Sequence, residues 1–359
     1  MLITLRDARP ERCGAKATTL GRLLTAGLPV PDGVVVPFDA PAANLDRLAA
    51  EAWSVLGPGP LAVRSSADGE DSADASMAGQ HTTVLGAHTP SQVADAIRAC
   101  RASASSDRAA AYRQRLGRAE PRMAVLIQRL VPADVAGVMF VTADGAVIEA
   151  GRGLGTAVVE GRVTPERIHV DADGAIHRPP TDAHTDALLD DDAVTLLVGV
   201  GRRVSTLLGG TLDVEWAVAS GSAWILQARP ITAPLPEAAA HTGTTALSPG
   251  ATRLTGSPGS GGVTTGPARV VHGPADFARV RRGDVLVCPY TDPAWTPLLA
   301  VAAGVVTRTG GMLSHAAIVA REHAIPAVLG VADALDRITD GDLVTVDGDA
   351  GTVTLRRPA

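Results

Sequence analysis

The 359-residue chain is predicted to be a mixed α/β (α+β) protein built from two domains. Three observations lead to that class. Short apolar runs of strand length alternate with amphipathic stretches of helical period over residues 1–232. The alternation stops in a Pro-, Gly-, Thr- and Ala-rich stretch, and compact β/α patterning resumes beyond it. The expected organisation is therefore a first domain over 1–232, a flexible linker over 233–262 and a smaller domain over 263–359. The length allows a sizeable core in each domain.

In chain order, Val34–Val36, Leu61–Arg64, Ala124–Gln128, Gly137–Val141, Leu212–Ala217 and Ala223–Gln227 read as strands. Gln92–Arg101 and Ala193–Leu208 place apolar residues three and four apart and read as amphipathic helices. Residues 233–262 show little periodicity, and their composition is that of a linker. After them, strands are expected at Ala268–Val271, Val285–Cys288, Gly304–Thr307, Leu343–Val346 and Thr352–Leu355. Helices are expected around Ala275–Val280, Trp295–Val301 and His315–His323.

Composition narrows the function. A net charge of −6 and an aromatic content of 3% argue against a nucleic-acid surface. No apolar run reaches the roughly 18 residues of a membrane span. The opening MLITLRDARPERCGAK has neither a signal core nor a cleavage site, so a cytoplasmic location is expected. Cys13, Cys100 and Cys288 are odd in number and lack metal or redox spacing, so they read as buried thiols. Of the 32 basic residues all but Lys16 are arginine. In such a background a retained lysine points to a task that needs a compact ammonium, such as reaching phosphate oxygens as a point charge.

Residues 309–322 read TGGMLSHAAIVARE, and His315 sits where a glycine turn passes into an alanine-rich helix. A helix N-terminus gathers unpaired N–H groups and partial positive charge, which favour an anion. Gly310 and Gly311 allow close backbone approach, and Ser314 is placed to cap the turn. Taken alone, a histidine here ordinarily just caps a helix. The flanking pattern extends from Thr291-Asp292-Pro293-Ala294-Trp295-Thr296-Pro297 through Ala302–Thr307 to Ile325-Pro326-Ala327-Val328. With it, the stretch resembles the phosphohistidine signature of the PEP-utilising enzymes: PEP synthase, pyruvate phosphate dikinase and rifampin phosphotransferase. The resemblance makes His315 the phosphocarrier, Gly310, Gly311 and Ser314 its loop, and 263–359 a small swivelling phosphohistidine domain.

The N-terminal part is similar to the ATP-grasp nucleotide-binding domain of the same family. The motifs are Gly14–Gly21 and Gly27–Gly33, then Val63-Arg64-Ser65-Ser66-Ala67, then Asp74–Gln80. An arginine such as Arg64 can fork onto phosphate oxygens. The small residues around Ser76, Met77, Ala78 and Gly79 let backbone N–H groups approach a polyphosphate. Leu212-Asp213-Val214-Glu215-Trp216, followed by Ile225–Thr232, places Glu215 and Gln227 as oxygen donors on adjacent strands. Oxygen is the donor that a hard Mg²⁺ prefers. Arg229 shares the face of Gln227, since strand side chains two apart point the same way. By resemblance Glu215 and Gln227 hold metal, and Lys16, Arg64 and Arg229 meet ATP phosphates. Gln128 stands near the adenine hinge, and Glu149 precedes the Gly153-Leu154-Gly155 stretch of the nucleotide site. This chain has Thr156 where the family usually continues with glutamate.

The resemblance implies an ATP-dependent phosphotransferase with Mg²⁺ as cofactor, passing phosphate through His315 with AMP as product. It covers two of the family's three modules. The acceptor is expected to be either a small molecule, with the trimmed, arginine-rich chain suiting a secondary metabolite or antibiotic, or a substrate bound by a separate partner protein. Alternatives are the ATP and phosphohistidine subunit of a split PEP synthase working with a separate substrate-binding protein, and a non-catalytic ATP-binding regulator. Neither nucleic acid nor membrane is expected as a partner. Lys16→Arg should lower AMP formation by about tenfold or more despite conserving charge. Unchanged AMP production in a chromatographic assay would remove the case for a lysine-specific role.

Overall fold

Strand-length apolar runs and amphipathic helices assemble into two compact units. One comprises residues 1–148, 152–154 and 168–232, the other residues 149–151, 155–167 and 233–359. A computed structural model describes residues 1–68, 82–105, 120–178, 187–231 and 251–356. Helices and sheets are mixed in both units, in agreement with the α/β class read from the sequence.

The first unit contains a five-stranded antiparallel sheet. Its order is Ile3–Thr4, Gly33–Val36, Met123–Arg129, Leu61–Ala67 and Thr83–Ala87. Helices Leu45–Leu56 and Pro90–Ala102 are covered by one core with this sheet. Leu48, Ala52 and Ile97 from the helices meet Val34, Val63, Val125 and Ile127 from the strands. Leu45, Leu48, Ala49, Ala52 and Leu56 form the buried stripe of the first helix. Gly57, with φ of 79°, ends it in a backbone conformation that a side chain would oppose. Thr89 starts the second helix by accepting the Gln92 N–H, as an N-cap should.

A second sheet has six strands in the order Ser222–Pro230, Leu212–Ala219, Val135–Thr142, Gly145–Arg152, Glu166–Asp171 and Ile176–His177. Helix Asp191–Leu208 lies against it, started by Asp190, whose side chain accepts the Ala193 N–H. The hairpin Leu212–Ala219/Ser222–Pro230 pairs Glu215 with Gln227 and Asp213 with Arg229. Register therefore fixes which side chains can meet.

The smaller unit is organised by an eight-stranded sheet. Its order is Ala251–Thr255, Thr352–Arg356, Leu343–Asp347, Val263–Val270, Val285–Cys288, Gly304–Thr307, Ala327–Leu329 and Ser257–Ser260. Its middle strands are parallel and are buried on both faces. Val285 and Val287 join Val306, Val328, Val344 and Val346 on one face, while Leu286 and Cys288 join Trp295, Leu299 and Ala316 on the other. Two-sided burial explains why Val285–Cys288 is an unbroken apolar run rather than an alternating one. Helix His315–Glu322 supplies Ala316, Ala317, Val319 and Ala320 to the second face.

Two sequence expectations change here. The stretch 233–262, read as linker, ends earlier, because Ala251–Thr255 and Ser257–Ser260 are strands. They occupy the two edges of the sheet, where the missing N–H of Pro258 costs no ladder bond and glycine is tolerated. Around Ala275–Val280 the chain forms a 3-10 segment, Pro274–Arg279, instead of an α-helix. Helix Pro10–Thr25 was legible only as a motif, since Gly14 interrupts its period at φ 75° and ψ 172°. All three cysteines are buried, and no disulfide joins them. Among the described residues no helix is long and apolar enough to cross a membrane.

The Gly14 kink is stitched by Ser66. Its hydroxyl donates to the Cys13 carbonyl at 2.7 Å and accepts the Ala17 N–H at 3.0 Å. A Cβ at residue 14 would overlap the Ser66 carbonyl in addition to opposing the positive φ. Gly14→Ala should lower unfolding free energy by about 2 kcal/mol or more. A denaturant titration with an unchanged midpoint would contradict the close approach.

Candidate functional site

In the first unit, Arg64 belongs to a fully buried strand, Leu61–Ala67. Its guanidinium donates from Nη2 to Gln227 Oε1 at 2.7 Å and to Glu215 Oε2 at 3.2 Å, and from Nη1 to the Leu226 carbonyl. One planar fork therefore gathers three acceptors from the Leu212–Pro230 hairpin. One register step along, Arg229 donates from Nε and Nη2 to Asp213 Oδ2 at 2.8 and 2.7 Å. Both members of that pair are buried, where an ion pair survives only with good geometry.

Lys16, at 6% exposure, follows the Gly14 kink on helix Pro10–Thr25. Gln128 is also buried, and its amide nitrogen donates to the Pro31 carbonyl at 2.7 Å. Ser76, Met77, Ala78 and Gly79 lie outside the described residues. The hairpin thus brings Arg64, Glu215 and Gln227 into direct contact. Asp213, passed over as a site residue in the sequence, stands on the same strand face as Glu215. The signal was its spacing of two from Glu215 within the quoted run.

Among the described residues no group of three or more His, Cys, Asp or Glu side chains could hold a metal. Glu215 and Gln227 do present a carboxylate and an amide oxygen on paired strands. That donor set fits Mg²⁺, which binds through one or two protein oxygens and takes the remainder from water and phosphates.

His315 opens helix His315–Glu322 in the second unit and is 3% exposed. Its Nδ1 lies 3.0 Å from Oγ1 of Thr291, itself buried. Thr291 is held by its own neighbourhood, since Asp292 caps the following turn by accepting the Ala294 N–H. Ser314 occupies the N-cap position but makes no cap bond. Its hydroxyl donates back to the Gly311 carbonyl at 2.8 Å. A serine side chain has that local alternative, and here the three-residue turn wins over the expected cap. Gly310, at φ 106°, adopts a conformation closed to most side chains.

The loop ahead of His315 has further partners within the same unit. Thr309 Oγ1 donates to the Gly161 carbonyl at 2.7 Å, and the Gly310 N–H donates to the Val163 carbonyl at 3.1 Å. Glu149, whose carboxylate sequence resemblance assigned to the nucleotide, accepts the N–H groups of Met312 and Leu313 at 2.8 and 3.0 Å. Neither Thr291 nor Arg167, which donates to Glu149 at 3.3 Å, was assigned a role from sequence. Thr291 lay inside a quoted motif. Arg167 carried no local signal at all.

Cutting one buried ion pair should expose its cost. Arg229→Met leaves the Asp213 carboxylate without its guanidinium and should destabilise the first unit by about 3–5 kcal/mol. The Asp213→Asn/Arg229→Met double variant should recover much of that loss in the same denaturation measurement. No recovery would mean that the two residues are not energetically coupled.

Comparison with known proteins bears on both clusters. Residues 42–179 match the family described as pyruvate phosphate dikinase, AMP/ATP-binding domain, and residues 280–351 match the PEP-utilising enzyme, mobile domain. A probable phosphoenolpyruvate synthase from Archaeoglobus fulgidus is 35% identical over 324 residues, covering 82% of this chain and 43% of that protein. Phosphoenolpyruvate synthase from Escherichia coli is 33% identical over 384 residues, covering 92% and 48%. The chain thus spans less than half the length of these relatives. Likeness to solved structures is slight. The D-alanine-D-alanine ligase from Coxiella burnetii shares 10% identity over 60% of this chain and 47% of its own, with a TM-score of 0.33, too low to carry an argument. With an AMP/ATP-binding domain followed by a mobile domain, the chain belongs to the family of PEP-utilising enzymes.

Proposed function

We propose that the protein is an ATP-dependent phosphotransferase of the dikinase type that carries phosphate on His315. The observation that supports this most directly is the His315–Thr291 pair at the start of helix His315–Glu322. In the tautomer this reading requires, Nδ1 carries the proton and donates it to Thr291 Oγ1, which would orient the ring and make the Nε2 lone pair the nucleophile. In the reaction, Nε2 bonds to the β-phosphorus of ATP, and the bond from that phosphorus to the α–β bridging oxygen breaks. AMP then leaves with the electron pair. The terminal phosphate departs by transfer to water or to inorganic phosphate, and a phosphoramidate remains on His315. Transfer to an acceptor nucleophile regenerates the imidazole.

Phosphoryl transfer of this kind needs positioning and charge compensation more than covalent help. In this reading Lys16, Arg64 and Arg229 face the polyphosphate, with Ser76, Met77, Ala78 and Gly79 covering it and Gln128 near the base. Glu215 and Gln227 would hold Mg²⁺, which supplies further compensation of phosphate charge. ATP binding is proposed for the domain read over 1–232 and the carrier role for the domain read over 263–359, whose sheet extends back to the strands Ala251–Thr255 and Ser257–Ser260. The acceptor is proposed to be a small molecule of the secondary-metabolite or antibiotic kind. A second reading places the acceptor on a separate substrate-binding protein.

Incubation with ATP labelled separately at the β and γ positions tests the proposal. Acid-labile label from the β position should accumulate on the wild type and be absent from His315→Ala. Absence of AMP and of acid-labile label on the wild type with Mg²⁺ would overturn it.

A further inference from the structure

Glu149 is completely buried, and its carboxylate is committed on both oxygens. Oε1 accepts the Met312 N–H at 2.8 Å and Arg167 Nε at 3.3 Å, while Oε2 accepts the Leu313 N–H at 3.0 Å. All of these residues lie in the second unit. Charge-assisted bonds to consecutive backbone N–H groups are strong and directional, and the Arg167 guanidinium offsets the buried charge. The loop is shaped to receive them. A Cβ on Gly311 would overlap both carboxylate oxygens, so only glycine admits the carboxylate there.

The same peptide is held from its other side. Arg321 Nη1 donates to the Met312 carbonyl at 2.8 Å and to the Gly259 carbonyl at 2.8 Å. Arg321 belongs to the helix that His315 begins. Met312 is therefore fixed at its N–H by Glu149 and at its C=O by the histidine's own helix, three residues ahead of the imidazole.

We infer that Glu149 is a positioning residue for the phosphohistidine loop and not a ligand of the nucleotide. This rests on the proposed role of His315. The carboxylate clamps Met312 and Leu313 and so restricts where the backbone can present the ring. Pre-organisation of that kind acts on the rate of transfer and leaves ATP affinity alone.

The test uses Glu149→Gln and Gly311→Ala in the full chain. The first replaces one accepting oxygen by an N–H donor, and the second keeps the carboxylate but drives it off the loop. Both should speed amide exchange at Met312 and Leu313 by about tenfold or more and slow His315 labelling at saturating ATP by a similar factor. The ATP dissociation constant, measured by calorimetry, should stay within about twofold, which also reports that the first unit is folded. Two results would overturn the inference: a roughly tenfold loss of ATP affinity in Glu149→Gln with unchanged amide exchange, or faster exchange with an unchanged labelling rate. Should Glu149→Gln fail to fold, the Gly311→Ala measurements decide alone. If wild type takes no label, the carrier role fails. The exchange and affinity measurements still assign Glu149 to loop or nucleotide.

Discussion

Charges kept from water must be paired, and the first unit is arranged around that constraint. Arg64 and Arg229 are each less than a tenth exposed, and the Leu212–Pro230 hairpin supplies Glu215, Gln227 and Asp213 to meet them. Pairing at this density depends on antiparallel register. A slip of one residue in either strand of the hairpin would turn that strand's two side chains to the opposite face and break the pairings of both Arg64 and Arg229. Structural and chemical demands therefore coincide. The cations that the fold must neutralise are those the proposed reaction would direct at phosphate.

The second unit answers a different demand, that of presenting one imidazole on a rigid support. A sheet buried on both faces leaves its strands little freedom, and helix His315–Glu322 is seated on it by alanines small enough for close packing. Thr291 fixes the ring at Nδ1, and Gly310 and Gly311 let the preceding loop turn sharply and accept close neighbours. Small residues here serve proximity. A bulkier sequence would hold the helix farther from the strands and leave the loop without its partners.

Much of both units was legible from local pattern. Val285–Cys288 and Gly304–Thr307 were read at their observed bounds, because continuous β-branched runs bounded by turn residues have few other solutions. Gln92–Arg101 and Ala193–Leu208 were legible as helices from their spacing, and both begin two residues earlier, as Pro90–Ala102 and Asp191–Leu208. Less regular elements escaped. Gly14 hid the continuity of the first helix, and Pro258 and Gly259 made an edge strand look like linker. In each case a residue type that ordinarily ends an element was accommodated by its position in the sheet or by a hydroxyl bridge.

The site divides along the same line. Sequence alone singled out the candidate side chains: the lone Lys16, Arg64, the alternation of Glu215 and of Gln227 with Arg229, and His315 at a glycine-to-helix junction, while their proposed roles come from the family resemblance. Those signals are local, set by residue type and by periods of two or 3.6, so they survive without any knowledge of the fold. Only the tertiary structure decided the partners: Thr291 on the imidazole, Asp213 on Arg229, and Glu149 with Arg167 on the loop before His315. Glu149 and Met312 are far apart in sequence, and no local pattern encodes a contact that depends on where the folded chain returns.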